Sequence, residues 1–363
     1  MTNRMKMLQT LALLAGVGLF VWVIYIIGAN AILDSLRAVG FGFVVLIIIS
    51  GLRHLLRATA WACCFEKDER RFSLFELFNV RLAGEAIRFV SFTGPLLGEP
   101  TKAALLRKRL PMVQGLSSLV IENLTYTFAA MLVTLAGLGL FVANFTLHRN
   151  VRFSAFVIAA FMLVTVFAVR RAITRRTFDL SRLTKTLAGM GVRGTGVWLE
   201  SKSVGIERME SNVYEFYDRR GHTLLRVLLL ELAANFANVL EVYVILSFMD
   251  LQATFLAAFI IEAIMKVINF AFFFVPAQVG VFEGGNALLL KALGLGAPAG
   301  VALALIEKIR TLVWTAYGLI ALAFLLKKDS VNTRKDLRTT TTQSSLEIRE
   351  RGDAELPVRG TAT

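Results

Sequence analysis

Only two cysteines and three histidines occur in 363 residues. Cys63 and Cys64 are neighbours, where a disulfide would be strained, and His54, His148 and His222 stand apart at no metal-ligand spacing. Neither thiol redox chemistry nor a metal centre is expected. The chain also lacks a phosphate-binding loop, a dinucleotide fingerprint, a Ser or Cys nucleophile with a base at recognisable spacing, and an Asp cluster able to hold Mg²⁺. Its carboxylates could act as acid and base in principle. Without a paired activation scheme, the chain is read as no enzyme and as needing no cofactor. Basic residues outnumber acidic ones, 40 to 26, for a formal net charge of +14. No basic-aromatic RNA or DNA module interleaves them, so nucleic acid is excluded as a partner.

What the chain has instead is apolar length. It is 56% hydrophobic, far from the balance of a soluble domain. Runs near 8–28, 41–64, 113–143, 153–169, 223–249 and 299–326 match the roughly 20 residues that cross about 30 Å of hydrocarbon as helix. Two further runs, 72–93 and 251–275, lead straight into Pro/Gly breaks. Strands are excluded by run length, which leaves an all-α membrane protein. Arg4 and Lys6 precede a first run too long for a signal-peptide core, and more spans follow. That pattern predicts an uncleaved first helix.

Loop charge sets the orientation, because cytoplasmic loops retain Lys and Arg. Arg4 and Lys6 lie before the first run, and Lys67, Arg70 and Arg71 after the second. Lys102, Arg107, Lys108 and Arg109 then stay cytoplasmic if 72–93 and 95–110 form a helical hairpin that enters from the cytoplasm and returns to it. The basic segment 170–222 is cytoplasmic too, with 186–222 as an interfacial helix. Lys327 and Lys328 finish inside only if 251–275 and 276–294 form a second hairpin, dipping in from outside. The predicted architecture is therefore six full spans plus two re-entrant helical hairpins, with both termini cytoplasmic. Three crossings separate Pro95 from Pro276, so 1–149 and 150–328 form an inverted repeat, the plan of many secondary transporters. Eight full spans with a parallel repeat is the alternative. Residues 329–363, rich in Thr, Ser and Arg, read as a disordered cytoplasmic tail.

Chemistry concentrates at the duplicated breaks. Phe92 to Glu99, containing Gly94, Pro95 and Gly98, is followed by Arg107 and Lys108, Gly115 and Glu122; Phe274 to Gly280, containing Pro276, is followed by Glu283, Lys291, Gly300 and Glu307. A helix restarting near Gly98 or Gly280 would offer unpaired N–H groups to a phosphate or carboxylate. Glu99 and Glu283 either cap those groups or meet substrate or a proton. Lys102 either holds an anionic headgroup or snorkels to the cytoplasmic interface. Glu122 and Glu307 lie on the order of 12 Å deep, where a carboxylate needs a partner. Arg81, Arg88, Lys266, Lys308 and Arg310 are the candidates, either for a structural ion pair or for function. A pathway face is expected from Glu231, Asn235, Asn238 and Glu241 or Val242, the Asn pair serving equally as interhelical glue. Arg53 faces a partner or a headgroup, whereas Arg57, four residues on, is expected to snorkel.

Gly94-Pro95-x-x-Gly98-Glu99, the basic end at Arg107 and Lys108, Glu122, and Pro276-x-x-x-Gly280-x-x-Glu283 with Glu307 to Arg310 resemble the lysylphosphatidylglycerol synthase transmembrane-region family. This is the flippase-like portion of the multiple peptide resistance factor, and it also occurs as free-standing proteins, including hopanoid-associated ones. The resemblance covers about 1–328. It implies a lipid translocase of the bacterial inner membrane whose partners are membrane lipids and a separate lipid-synthesis enzyme, with the break residues lining a headgroup cavity. Aminoacylated phosphatidylglycerol, a hopanoid or a polyprenyl-linked sugar would fit; the alternatives are a small-solute transporter and a non-transporting scaffold. The chain departs from the family's frequent Pro-Gly-Gly turn, with Pro95-Leu96-Leu97 and Pro276-Ala277-Gln278, and reads Glu122-Asn123 where the family has Glu-Arg. The aminoacyl-transfer domain of the full synthase is not in this sequence.

Overall fold

The structure, a computed structural model, describes residues 37, 39–65, 72–91, 95–107, 109–145, 148–176, 195–251, 253–272, 278 and 280–354. The expected span at 8–28, the charges at Lys67, Arg70, Arg71 and Lys108, and the break residues Gly94 and Pro276 lie outside these. Among the described residues there are ten helices and no strand. They are α1 (Gly42–Cys63), α2 (Leu74–Val90), α3 (Pro95–Leu106), α4 (Met112–Asn144), α5 (Arg149–Thr174), α6 (Thr195–Arg219), α7 (Gly221–Phe248), α8 (Phe255–Ala271), α9 (Val281–Ala292) and α10 (Ala297–Ala354).

Five of them, α1, α4, α5, α7 and the first part of α10, are long and apolar enough to cross a membrane. The legs of the two expected hairpins are shorter: α2 and α8 have 17 residues each, α3 and α9 have 12. At 1.5 Å per residue the 12-residue legs reach only about 18 Å, well short of a bilayer core.

The helices α2 and α8 are built alike. Ser73 Oγ accepts from Glu76 N–H and Thr254 Oγ1 from Ala257 N–H, each at 3.2 Å. These hydroxyls satisfy an orphan donor in the first turn. Ser73 and Thr254 are 181 residues apart, as are Pro95 and Pro276, and the two helices keep that spacing from first residue to last.

Packing is reciprocal. Helix α2 lies against α3 and α10, α8 lies against α9 and α4, and α1 and α7 form the central pair. The cross-contacts need glycine. A Cβ on Gly318 of α10 would stand 2.3 Å from Leu82 O on α2, and one on Gly137 of α4 would stand 2.2 Å from Ala263 Cβ on α8. Leu82 and Ala263 are again 181 residues apart. Two apolar clusters result. One gathers Trp61, Leu77, Val80, Leu106, Leu119 and Phe216, and the other Leu246, Ile261, Leu290, Leu303 and Ile306.

Helix α6, the expected interfacial segment, buries Val213 and Phe216 and packs along α4 and α7. The tail departs from expectation. Helix α10 runs on to Ala354 where disorder was predicted. No Gly or Pro lies between Gly318 and Gly352 to stop it, and Lys, Arg, Gln, Glu and Leu offset the weaker helix formers Thr, Ser, Asn and Asp of that stretch.

Candidate functional site

A continuous run of opposite charges enters the core beside the first break. Arg88 Nη2 lies 2.6 Å from Glu85 Oε2, Arg81 Nη2 lies 3.6 Å from Glu85 Oε1, and Arg81 Nη1 donates to Glu122 Oε1 at 3.0 Å. Arg57 Nη2 donates to the same Glu122 oxygen at 2.8 Å, and Arg57 Nε stands 3.3 Å from Glu231 Oε2. The series therefore runs Arg88, Glu85, Arg81, Glu122, Arg57, Glu231. It begins at a side chain 49% exposed and passes to Arg81, Glu122 and Glu231 at 0%. It crosses α2, α4, α1 and α7, so both members of the central pair are tied into it.

Lys102 joins from α3, 2.8 Å from Glu99 Oε1 and 3.5 Å from Glu85 Oε1. It is buried, so it does not snorkel to the interface as the sequence allowed. Its position follows from two glycines. A Cβ at Gly84 would stand 2.3 Å from Lys102 Cγ, and one at Gly98 would stand 2.9 Å from Arg88 Cβ. Their absence lets α2 and α3 close, and the lysine stem lies across Gly84. Glu99 does not cap, contrary to one of the two roles expected for it. Helix α3 starts at Pro95, earlier than the predicted Gly98, because proline suits the first helical position. Glu99 thus falls beyond the first turn and pairs with Lys102 instead.

A second, separate cluster involves α1, α7 and α10. Arg53 Nε lies 3.5 Å from Glu241 Oε1, and Arg310 Nη1 contacts the other oxygen of Glu241. His54 Nε2 is 3.3 Å from Arg53 Nη2 and its ring meets that of Trp314 at 5.1 Å with a tilt of 58°, while Trp314 Nε1 donates to Ser50 Oγ.

The second break is organised differently. Gly280 holds φ +82°, a conformation glycine tolerates, and its N–H donates to Glu283 Oε2 at 2.8 Å. Glu283 is therefore the cap that Glu99 is not, and its other oxygen meets Lys308 Nζ. Lys266 pairs with Glu262 on its own helix, not with Glu122 or Glu307. Glu307 is buried, and among the described residues its carboxylate makes no hydrogen bond or ion pair; Glu262, Arg53 and Lys266 are the charges within electrostatic range.

Of the remaining predicted residues, Asn235 is buried and its Nδ2 donates to Glu231 O at 2.8 Å, while Asn238 is half-buried with no side-chain hydrogen bond among the described residues. The Asn pair is not interhelical glue here, since the bond Asn235 makes is within its own helix. Arg57, expected to snorkel, is instead the residue shared by Glu122 and Glu231, with its guanidinium 3.8 Å over the Tyr126 ring. Glu85 escaped the sequence reading altogether. Its signal was the spacing of four from Arg81 and three from Arg88, which places all three on one face.

Arginine forks match phosphate and carboxylate bidentately. Several buried atoms here accept or donate nothing: Arg57 Nε, Arg81 Nε and Nη2, Glu122 Oε2, both Glu231 oxygens and Glu99 Oε2. The arrangement can hold a charged group inside an apolar bundle and trade it against its own carboxylates. No match is found among curated proteins or solved structures. The model of the lysylphosphatidylglycerol synthase TM region matches residues 9–319, and the chain belongs to that family of multi-pass membrane proteins.

Proposed function

We propose that the protein is a lipid translocase, moving a polar-headgroup lipid between leaflets of the bacterial inner membrane without chemical catalysis. The observation that carries this reading is the run of alternating charges from half-exposed Arg88 to fully buried Glu231. A buried charge is costly in a bilayer unless paired. A connected series, in which Arg81 and Arg57 each have a carboxylate on either side, offers a headgroup successive partners while its acyl chains stay in lipid. Family membership supports it, since that family is linked to lipid metabolism or transport. The 181-residue spacing and the reciprocal packing support two halves of inverted topology with re-entrant hairpins α2/α3 and α8/α9, the termini cytoplasmic.

The test is movement of labelled anionic, cationic and neutral lipids in proteoliposomes, with Glu122→Gln plus Glu307→Gln as the comparison and gel filtration as the folding control. Selective movement that is lost in the folded double variant supports translocation and names the headgroup class. Movement no faster than in empty vesicles overturns it. A small-solute carrier, or a membrane partner of a lipid-synthesis enzyme, then takes its place.

A further inference from the structure

Glu231 is the weakest link in the buried series. Its carboxylate is fully buried on α7, its ionic contact with Arg57 Nε is 3.3 Å, and neither of its oxygens accepts a hydrogen bond. It lies close to Glu122, a second carboxylate that Arg57 holds more tightly at 2.8 Å. Two carboxylates thus share one guanidinium, and among the described residues Arg57 is the ion-pair partner of Glu231 on α1. The neighbouring Arg81 is also fully buried; its Nε and Nη2 donate no hydrogen bond, and Nη2 stands 3.6 Å from Glu85 Oε1.

We propose that Arg57 and Arg81 form a phosphate-binding site that doubles as a latch: a phosphate arriving along Arg88 and Lys102 takes Arg57 from Glu231 and loosens α7 against α1 at the level of Glu231. The chemistry favours this exchange. Phosphate offers several oxygens to the forks of Arg57 and Arg81, including the N–H groups that donate no hydrogen bond. Glu231 loses its one ion pair among the described residues and is left beside Glu122. The Arg53–Glu241 contact still joins α1 and α7, the central pair, further along, so the loosening is local and opens the core where the series ends. The proposal rests on the translocase reading for its purpose but not for its observables.

The measurement is maleimide labelling of Ala234→Cys in a Cys63→Ala, Cys64→Ala background. Ala234 is buried and lies three residues after Glu231, on the same side of α7. The full chain is kept in a phosphate-free maltoside detergent and given phosphatidylglycerol, phosphate-free glucosyl diacylglycerol, or inorganic phosphate. Phosphatidylglycerol is expected to speed labelling by about tenfold, a typical coupling between sites, and Glu231→Gln to speed it without lipid. Acceleration by inorganic phosphate as well identifies the free anion as a sufficient ligand; acceleration by phosphatidylglycerol alone identifies the lipid. Equal acceleration by the glucosyl lipid overturns the proposal, as does no response in any arm. A second readout is retention of phosphatidylglycerol in native mass spectrometry, expected to weaken by about tenfold in Arg57→Gln, a loss on the scale of such coupling. Equal retention by the unchanged protein and this variant also overturns it. Lipid movement and labelling fail separately: a protein that labels as expected but moves no lipid keeps the latch and loses the translocase.

Discussion

The two break regions share a scaffold and differ in charge. Helices α2 and α8 begin with a hydroxyl cap, run for 17 residues and carry an ion pair four residues apart. The pairs fall 181 residues apart with their signs exchanged: Arg81 and Glu85 in α2 answer Glu262 and Lys266 in α8. In the first region the pair opens outward to Glu122, Arg88 and Lys102 and becomes part of a continuous series. In the second it closes on itself, and Glu307 has no direct cation among the described residues. A duplicated frame can thus be kept by caps and glycines while the polar groups it carries diverge.

The largest effect should separate the two pairs. Arg81→Ala strips a buried cation from Glu85 and Glu122 and is expected to cost about 3–5 kcal/mol, the usual penalty for breaking a buried pair. Lys266→Ala removes a single, partly accessible partner and should cost about 1–3 kcal/mol, as for a hydrogen bond to a charged group. Apparent melting temperatures in detergent decide it. Equal losses would mean that the second pair is as deeply integrated as the first.

Next in size is the glycine test, which asks whether the reciprocal contacts are equivalent. Gly137→Ala and Gly318→Ala each force a methyl to within 2.2 or 2.3 Å of the facing helix. Both should destabilise by about 1–3 kcal/mol, the cost of overpacking. Gly139→Ala is the control: nothing lies within 4 Å of its Cβ position. It should stabilise by up to about 1 kcal/mol through helix propensity. A smaller effect, about 1 kcal/mol each, is expected for Ser73→Ala and Thr254→Ala, the two caps. Unequal losses there would show that one hairpin is held by tertiary packing and the other by its own start.

Much of this frame was legible in the sequence. The membrane class, the helical runs and the duplicated Pro/Gly breaks follow from run length and spacing, as does the need of Glu122 for a cation, with Arg81 one of five candidates. The remainder depended on rotation and depth. Arg57 and Arg53 share a helix face, yet the sequence does not say which of them reaches α7, and a snorkelling arginine and a buried one look alike in a string of letters. Glu241 was held open against Val242 for the same reason, since adjacent residues on α7 point about 100° apart. The relation of Arg81 and Glu85 to Glu262 and Lys266 was hidden by its sign reversal, because a search for repeated charge finds no repeat there. Of the two roles open to Glu99, capping fails because the helix starts at Pro95, three residues before Gly98.

The smallest structural effect should come with a large functional one, and this contrast bears most directly on the difference between the two regions. Arg88 is half-exposed, and its pair with Glu85 is one of three cationic contacts that this carboxylate makes. Solvent weakens such a pair, so Arg88→Gln should cost no more than about 1 kcal/mol of stability. If the charged series is the route of a headgroup, the same change removes its outermost cation and should slow movement of an anionic lipid without altering the melting temperature. Lys308→Gln at the second break is the matched control: it leaves Glu283 still capping Gly280 through its other oxygen and touches no member of the first series. Loss of lipid movement in Arg88→Gln but not Lys308→Gln assigns entry to the first break. The reverse result would give that role to the second, and the continuous series would then be a structural core with no traffic through it.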